Sequence, residues 1–498
     1  MSYVIGIDLG TSAVKIVLVN TNGRVEKEII KSYPLVQERP GFSEQDPEQW
    51  VNKTIEGLKE LVQSVKGDPS SIDGISFSGQ MHGLVLLDKD NRVLRNAILW
   101  NDTRTTKQCK EINKIVGEKR LLKITKNPAL EGFTLPKLLW VKEHEPKLYK
   151  RIAKFLLPKD YLRFRLTEKL HTDYSDAAGT LLLDIQKKEW SKEICNAFDL
   201  PVSICPPLVE SGEMVGNISS SVAESTGLSK KTLVFSGGAD NACGAIGAGI
   251  LKEGKTLCSI GTSGVVLSYE NDGKKNFSGK VHYFNHGVPG AYYTMGVTLS
   301  AGFSLSWFKD VFAKDTSFEA LLEEIAQVPA GSNGLLFTPY LVGERTPHVD
   351  SVIRSSFIGI DSSHERKHFV RAIIEGITFS LNESIDIFRA NGKRIDEIVS
   401  IGGGAKSNIW LQLQADIFNV NITKLSNEQG PALGAAMLAA YGSGWFSSLQ
   451  ECAEVFLEKE LVFTPIPENV KRYEDIYKIY QEIYEKTREL NEKLLIYR

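Results

Sequence analysis

The chain has 498 residues, too many for one hydrophobic core and suited to two domains of ordinary size. Its 42% apolar and 24% charged residues are those of a globular protein, and no uninterrupted apolar run approaches the roughly 20 residues of a membrane span. A formal net charge of −2 offers no basic surface for nucleic acid or membrane, and clusters such as Lys230-Lys231 and Lys274-Lys275 read as solvated turns.

Residues 4–8 are an apolar, β-prone strand, so the start of the chain reads as structure and not as a signal peptide. The strand leads into Gly10-Thr11-Ser12. Residues 14–19 form a return strand, and Asn22-Gly23 turns into a third. A Gly-Thr-Ser turn between strands offers backbone N–H groups and hydroxyls, the donors a phosphate chain needs. Asp8, at the strand end, either holds Mg²⁺ through water or caps its own turn. Asp46-Pro47-Glu48 opens a helix, with Asp46 as N-cap and Trp50, Ile55, Leu58, Leu61 and Val62 as its apolar stripe.

Residues 72–77 are a buried strand ending in Ser78-Gly79-Gln80-Met81-His82-Gly83. Gln80 and His82 carry donors and acceptors suited to sugar hydroxyls; a histidine satisfied by its own loop is the alternative. Trp100-Asn101-Asp102-Thr103-Arg104 is a similar strand-to-helix junction, where Asp102 reads as a helix N-cap and a substrate-side role is the alternative. A helix over 134–143 opens a longer α-rich region. Residues 233–236 form a strand running into Gly237-Gly238-Ala239-Asp240-Asn241, and a small-residue helix follows over 242–250. A carboxylate at a strand's C-terminal end in a cleft can take the proton of an attacking hydroxyl, so Asp240 is a candidate base. Capping the next helix is its plainer use.

The second half repeats the scheme, with strands over 256–259, 265–268 and 292–296. Residues 258–269 match 7–18, and Gly261-Thr262-Ser263 repeats the first turn. Two such turns suggest duplicated domains gripping one nucleotide from both sides. Asp8 in the first copy corresponds to Ser259 in the second, so only one turn carries a carboxylate. A strand over 398–401 leads into Gly402-Gly403-Gly404-Ala405 and a helix from about Ser407, a junction suited to nucleotide contact through N–H groups. Residues 470–495 read as a terminal amphipathic helix covering a core. Strands alternating with helices give an α/β fold. The domain boundary falls at 245–255, with no Pro/Gly/Ser linker, and divides the chain into 1–248 and 249–498 with the active site in the cleft between.

Gly249 to Thr256 fits the phosphate-loop pattern G-x-x-x-x-G-K-[ST] letter for letter. A true phosphate loop follows a strand and opens a helix; this one follows a predicted helix and opens a strand, so Lys255 is not assigned to phosphate. The cysteines at 109, 195, 205, 243, 258 and 452 include no CxxC pair, which argues against zinc or a disulfide framework and for the reducing cytoplasm.

Taken together, these residues resemble the FGGY carbohydrate kinases of the actin and hexokinase-like ATPase superfamily, over essentially the whole chain. Gly132-Phe133-Thr134-Leu135-Pro136-Lys137 through His144 is similar to one family signature. Gly402 to Asn408, followed by Gly430-Pro431-Ala432-Leu433-Gly434-Ala435-Ala436, resembles the other. The resemblance implies two ribonuclease H-like domains with ATP and sugar in the interdomain cleft. It implies Asp240 as the base on the sugar hydroxyl and Asp8 near Mg²⁺ and the phosphates. Met81, His82, Gln80, Asn101, Asp240 and Asn241 are then the candidates on the sugar side. Gly10, Thr11, Ser12, Lys15, Gly261, Thr262, Gly403, Gly404 and Asn408 are the candidates on the nucleotide side. The loops 78–83 and 100–104 resemble the branch acting on D-xylulose, which implies its ATP-dependent phosphorylation to the 5-phosphate. Another ketose or deoxy sugar stays open, as does a homodimer. A nucleotide-switched binding or filament protein of the same superfamily would need the phosphate turns but have no use for a sugar loop or a base at 240.

Overall fold

The structure is a computed structural model and describes residues 2–65, 68–426 and 428–498. Two mixed seven-stranded sheets with the same local wiring organise it. In the first, Tyr3–Leu9 pairs antiparallel with Ala13–Asn20 and parallel with Ile72–Gly79. In the second, Gly254–Ile260 pairs antiparallel with Gly264–Glu270 and parallel with Ile395–Gly402. Register makes the duplication explicit. Asp8 lies opposite Lys15 and beside Ser78, while Ser259 lies opposite Val265 and beside Ile401.

The strand predicted over 72–77 continues through Ser78 and Gly79, because both stay in the parallel ladder beside Asp8 and Leu9. Polar strand ends are invisible to a hydrophobic pattern. The helix Pro47–Ser64 begins as predicted: Asp46 accepts from Glu48 N at 3.0 Å, and Trp50, Leu58 and Leu61 are buried. The helix predicted over 242–250 instead spans Asp240–Gly247, with Ala239 at the cap position. Gly249, at φ +72°, carries the chain out of it toward the strand Gly254–Ile260. Residues 248–253 join that helix to that strand.

The two halves interlock. The helix Pro431–Gly442, although late in the chain, packs on the first sheet and against Asp240–Gly247. The approach is too close for side chains: a Cβ on Gly6 would lie 2.0 Å from the Ala432 carbonyl oxygen, and one on Gly434 would lie 1.8 Å from that of Cys243. Small residues over 430–436 serve this contact. The terminal helix Pro467–Leu494 covers a core, burying Tyr473 and Tyr480 against Arg366–Ala390. Its phenols are satisfied: Tyr473 Oη bonds Glu375 at 2.7 Å, and Tyr477 Oη bonds Asp386 at 2.8 Å. Among the described residues, no helix is long and apolar enough to cross a membrane.

Candidate active site

Asp8 and Asp240 come from neighbouring parts of the first sheet. Asp8 sits near the end of Tyr3–Leu9, and its Oδ1 accepts from Ser78 Oγ at 2.9 Å. Its other oxygen has no hydrogen bond among the described residues. Burial raises its pKa, against the Ser78 bond and the charge of Lys15. Lys15 does not reach back to Asp8 as a partner; its ammonium pairs with Glu28 at 3.1 Å. Asp240 begins its helix, and its Oδ1 accepts from Asn241 N at 2.7 Å and Asn241 Nδ2 at 3.0 Å. Burial first, and then the negative charge of Asp8, push Asp240 up to about 7. A half-buried carboxylate poised there is matched to proton abstraction near neutral pH. Asp8 and Asp240 lie near enough for the charge of Asp8 to act on Asp240, and neither is paired with a lysine or arginine among the described residues, an arrangement that also suits a divalent cation.

Asn241 lies against Asp240 and Met81 against Asn241, with His82 following Met81 in the same loop. Asn241 Nδ2 lies 3.6 Å from Met81 Sδ, and Tyr293 Oη, from the second sheet, lies 3.8 Å from the same sulfur. His82 adopts φ +67° and packs on Phe133, with ring centroids 4.5 Å apart. Its Nδ1 lies 2.6 Å from the Gly179 carbonyl. A carbonyl only accepts, so Nδ1 carries the proton and Nε2 is left as an acceptor. Burial depresses the His82 pKa to about 3, so the ring is neutral at working pH. The His82 carbonyl accepts from Thr134 Oγ1 and Lys137 Nζ, both at 3.0 Å, which ties the first family signature to this loop.

Gln80 points elsewhere. Its amide is buried beneath the first turn, within 3.4 Å of the Gly10 carbonyl, Thr11 Oγ1 and Gln45 Oε1. Asn101 Oδ1 is buried and has no hydrogen-bond partner among the described residues. Asp102 is not a helix cap: the helix Thr106–Ile115 starts later, and Asp102 binds Arg104 with both oxygens and Ser43 N at 2.7 Å. Arg104 in turn lies over Phe42 at 3.6 Å from the ring centroid.

The two Gly-Thr-Ser turns sit at matching positions. Gly10 and Thr11 are braced by Tyr33 Oη on the Gly10 carbonyl at 2.5 Å and by Trp100 Nε1 on Thr11 Oγ1 at 2.9 Å; Ser12 is exposed. In the second sheet, the carbonyls of Gly261 and Thr262 accept from Gly302 N and Phe303 N at 2.8 and 3.1 Å. Gly261, Thr262, Gly403, Gly404 and Asn408 line one cavity of about 700 Å³, together with Trp410 and Phe318. Neither Asp8 nor Asp240 lines it, so this space is separate from the two carboxylates. The Gly249–Thr256 segment lies outside both. It connects a helix to a strand, and Lys255 pairs with Glu397 on the adjoining strand.

Sequence reasoning missed Ser78 as the partner of Asp8, Trp100 as the brace of Thr11, and Gly179 as the support of His82. Each acts through space on a residue far away in the chain, so no local pattern marks it. The dense run of small and polar residues over 172–180 was the available signal for Gly179.

Residues 3–247 match the family model described as the N-terminal domain of the FGGY family of carbohydrate kinases, and residues 256–443 match its C-terminal domain. The chain belongs to the FGGY family of carbohydrate kinases. FGGY membership implies ATP as a substrate. The chain is 63% identical over 498 residues to a xylulose kinase of Bacillus subtilis (strain 168), covering 100% of both. It shares its fold with a ligand-bound xylulose kinase from Lactobacillus acidophilus, at TM-score 0.94 and 29% identity, covering 99% of this chain and 100% of that one. A gluconate kinase from the same species superposes at TM-score 0.92 with 30% identity, covering 98% of each chain. Fold alone therefore does not choose the sugar.

Proposed function

We propose that the protein transfers the γ-phosphoryl group of ATP to the terminal hydroxyl of D-xylulose, giving D-xylulose 5-phosphate and ADP. The full-length 63% identity to a xylulose kinase supports this substrate over other ketoses. The observation that carries the chemistry is the pairing of a base-competent Asp240 with Asp8 beside a loop of neutral hydrogen-bonding groups.

In this reading Asp240 orients the hydroxyl and accepts its proton as the new P–O bond forms. Asn241 holds one Asp240 oxygen, which leaves the other for substrate. Neutral His82 offers Nε2 to a sugar hydroxyl, and Met81 supplies an apolar wall. Mg²⁺, when bound, neutralises phosphate charge; Asp8, with one oxygen free of protein hydrogen bonds, would hold it through water. Phosphoryl transfer needs positioning and charge neutralisation more than covalent chemistry from a protein. The two Gly-Thr-Ser turns supply neutral donors to the phosphates, and the cavity at Gly403, Gly404 and Asn408 takes the nucleoside. Residues 1–248 thus carry the sugar, the base and the first phosphate turn, and 249–498 the nucleotide side. The enzyme works in the cytoplasm, where its buried thiols stay reduced.

Sugar-dependent ADP release across a panel of ketoses, aldoses and deoxy sugars tests this reading. D-Xylulose is expected to give the highest kcat/KM. A better ketose or deoxy sugar would replace it, and ADP release independent of any sugar would point to a nucleotide-switched protein.

A further inference from the structure

Directly behind Asp240 lies a group of charges that the reaction itself does not use. Lys159, Asp160, Arg163, Asp173 and Asp176 are fully buried. The three carboxylates are close enough to resemble a metal site, but the Lys159 ammonium already sits among them, at 2.6, 2.9 and 3.4 Å. Two cations face three carboxylates. Burial, which outweighs the pull of Lys159, raises Asp176 well above its ordinary value. Buried ion clusters are seldom net stabilising, because desolvation offsets the attraction. A role other than stability is therefore worth seeking in what the cluster touches.

It touches the turn that presents Asp240. Arg163 Nη1 donates to the Ser236 carbonyl at 2.7 Å and to Asp160 at 2.9 Å. Asp173 Oδ2 accepts from Ser175 N at 2.9 Å, from Ser211 Oγ at 2.8 Å and from Ser175 Oγ. Ser175 Oγ then accepts from Ala239 N at 2.9 Å, one residue before Asp240. With its hydrogen directed at Asp173, that hydroxyl has only acceptor capacity left for Ala239. Gly238 fits the arrangement, since a Cβ there would lie 3.1 Å from Ser175 Oγ and 3.3 Å from Cys243 Sγ.

We propose that Ser175, oriented by Asp173, is a positioning residue for catalysis, fixing the backbone at Ala239 so that the Asp240 carboxylate meets the sugar hydroxyl. This rests on Asp240 being the base. A displacement of about 1 Å in a reacting group costs on the order of a hundred-fold in rate, so a loosened turn is felt in kcat while nucleotide affinity, built on the two Gly-Thr-Ser turns and the cavity at Gly403, Gly404 and Asn408, is not.

The test uses Ser175→Ala, which removes the contact, and Gly238→Ala, which crowds Ser175 Oγ from the other side, each also combined with Asp240→Asn. Folded, nucleotide-binding enzyme is quantified by titration with a non-hydrolysable ATP analogue, so that kcat is expressed per competent site. Each single variant is expected to lower kcat roughly ten- to a hundred-fold with the KM for ATP within two-fold of wild type, and Ser175→Thr, which keeps the hydroxyl, to restore most of it. In the Asp240→Asn background neither change should lower the rate further. If Ser175→Ala lowers only the melting temperature and leaves kcat per competent site intact, the strut is structural and the proposal falls. If Asp240→Asn itself turns over near wild type, the assignment of the base fails instead. Should Ser175→Ala not fold, Gly238→Ala, which leaves every polar group in place, decides by the same split.

Discussion

Asp8 and Asp240 lie close enough that the charge of one is felt by the other. Burial is the larger influence on Asp240 and the negative charge of Asp8 the second, and together they bring it to about 7. Such a pair is costly to the fold, an arrangement that clusters at functional sites. A base must be deprotonated to act, so kcat/KM for the sugar should rise with pH through a single ionisation near 7 and level off above it. Asp240→Asn should abolish that limb and lower turnover by about 10²–10⁴-fold, with nucleotide binding retained. Turnover within a few-fold of wild type would remove Asp240 from the mechanism.

The same pair predicts a stability change of opposite sign. Asp240 titrates higher in the fold than the ordinary carboxylate value of about 3.9, so the fold favours its protonated form. Stability is therefore withdrawn as pH rises through that window and is lowest above 7. Asp240→Asn should melt higher than wild type at pH 8, and the advantage should shrink toward pH 5. Calorimetry at the two pH values without ligand reads it, and a constant or reversed difference would contradict the repulsion.

Asp8→Asn should shift the Mg²⁺ dependence of turnover to higher concentration while leaving the KM for sugar little changed. The Ser78 bond can persist to the amide oxygen, so the fold is kept. Titration of Mg²⁺ at fixed ATP and sugar checks it. An unchanged curve and rate would make Asp8 an ordinary turn residue.

The fold was legible where a physical rule is local. The duplicated Gly-Thr-Ser turns, the Asp46 cap and the strand-helix alternation follow from spacing alone, and the structure has them at those places. Asp102 was misjudged because N-cap chemistry and an Arg104 pair draw on the same residue type, and only the third dimension separates them. Gln80 belongs to the loop read as meeting sugar, yet its amide turns under the first Gly-Thr-Ser turn, because successive residues of an extended chain point opposite ways. The buried charges over 159–176 carry no periodic signal at all, and charged residues in helices are ordinarily read as solvated faces.

Lys255→Ala should leave both KM values and kcat within two-fold. Its partner Glu397 also accepts from Lys459 at 2.7 Å and Thr423 Oγ1 at 2.6 Å, so the carboxylate is not orphaned by the change. A loss of about 1 kcal/mol in stability is expected, read by chemical denaturation. Lost turnover in a folded variant would mean that the Gly249–Thr256 pattern is a true phosphate loop.

His82 and Gly179 allow the proposed sugar contact to be tested from two sides. The ring is held by the Gly179 carbonyl, and a Cβ at Gly179 would fall 2.7 Å from His82 Nδ1 and 3.0 Å from Met81 Cε. Gly179→Ala therefore displaces both candidate sugar contacts without touching the cavity at Gly403, Gly404 and Asn408. His82→Asn removes the imidazole while tolerating the φ of +67° better than Ala would. Both should raise the KM for sugar and lower kcat/KM roughly ten-fold, since a hydrogen bond to a buried hydroxyl is worth about 0.5–1.5 kcal/mol and more if its partner is stranded. The KM for ATP should stay put. Because His82 is held neutral down to about 3, the wild-type contact should not titrate, and the sugar KM should be flat between pH 6 and 8 once the Asp240 limb is allowed for. Steady-state kinetics with each substrate varied in turn, beside a melting curve, separates this from simple damage. Equal rises in both KM values tracking a lower melting temperature would make His82 a structural residue of its loop, and a sugar KM that titrates near 6.5 would overturn its neutral state.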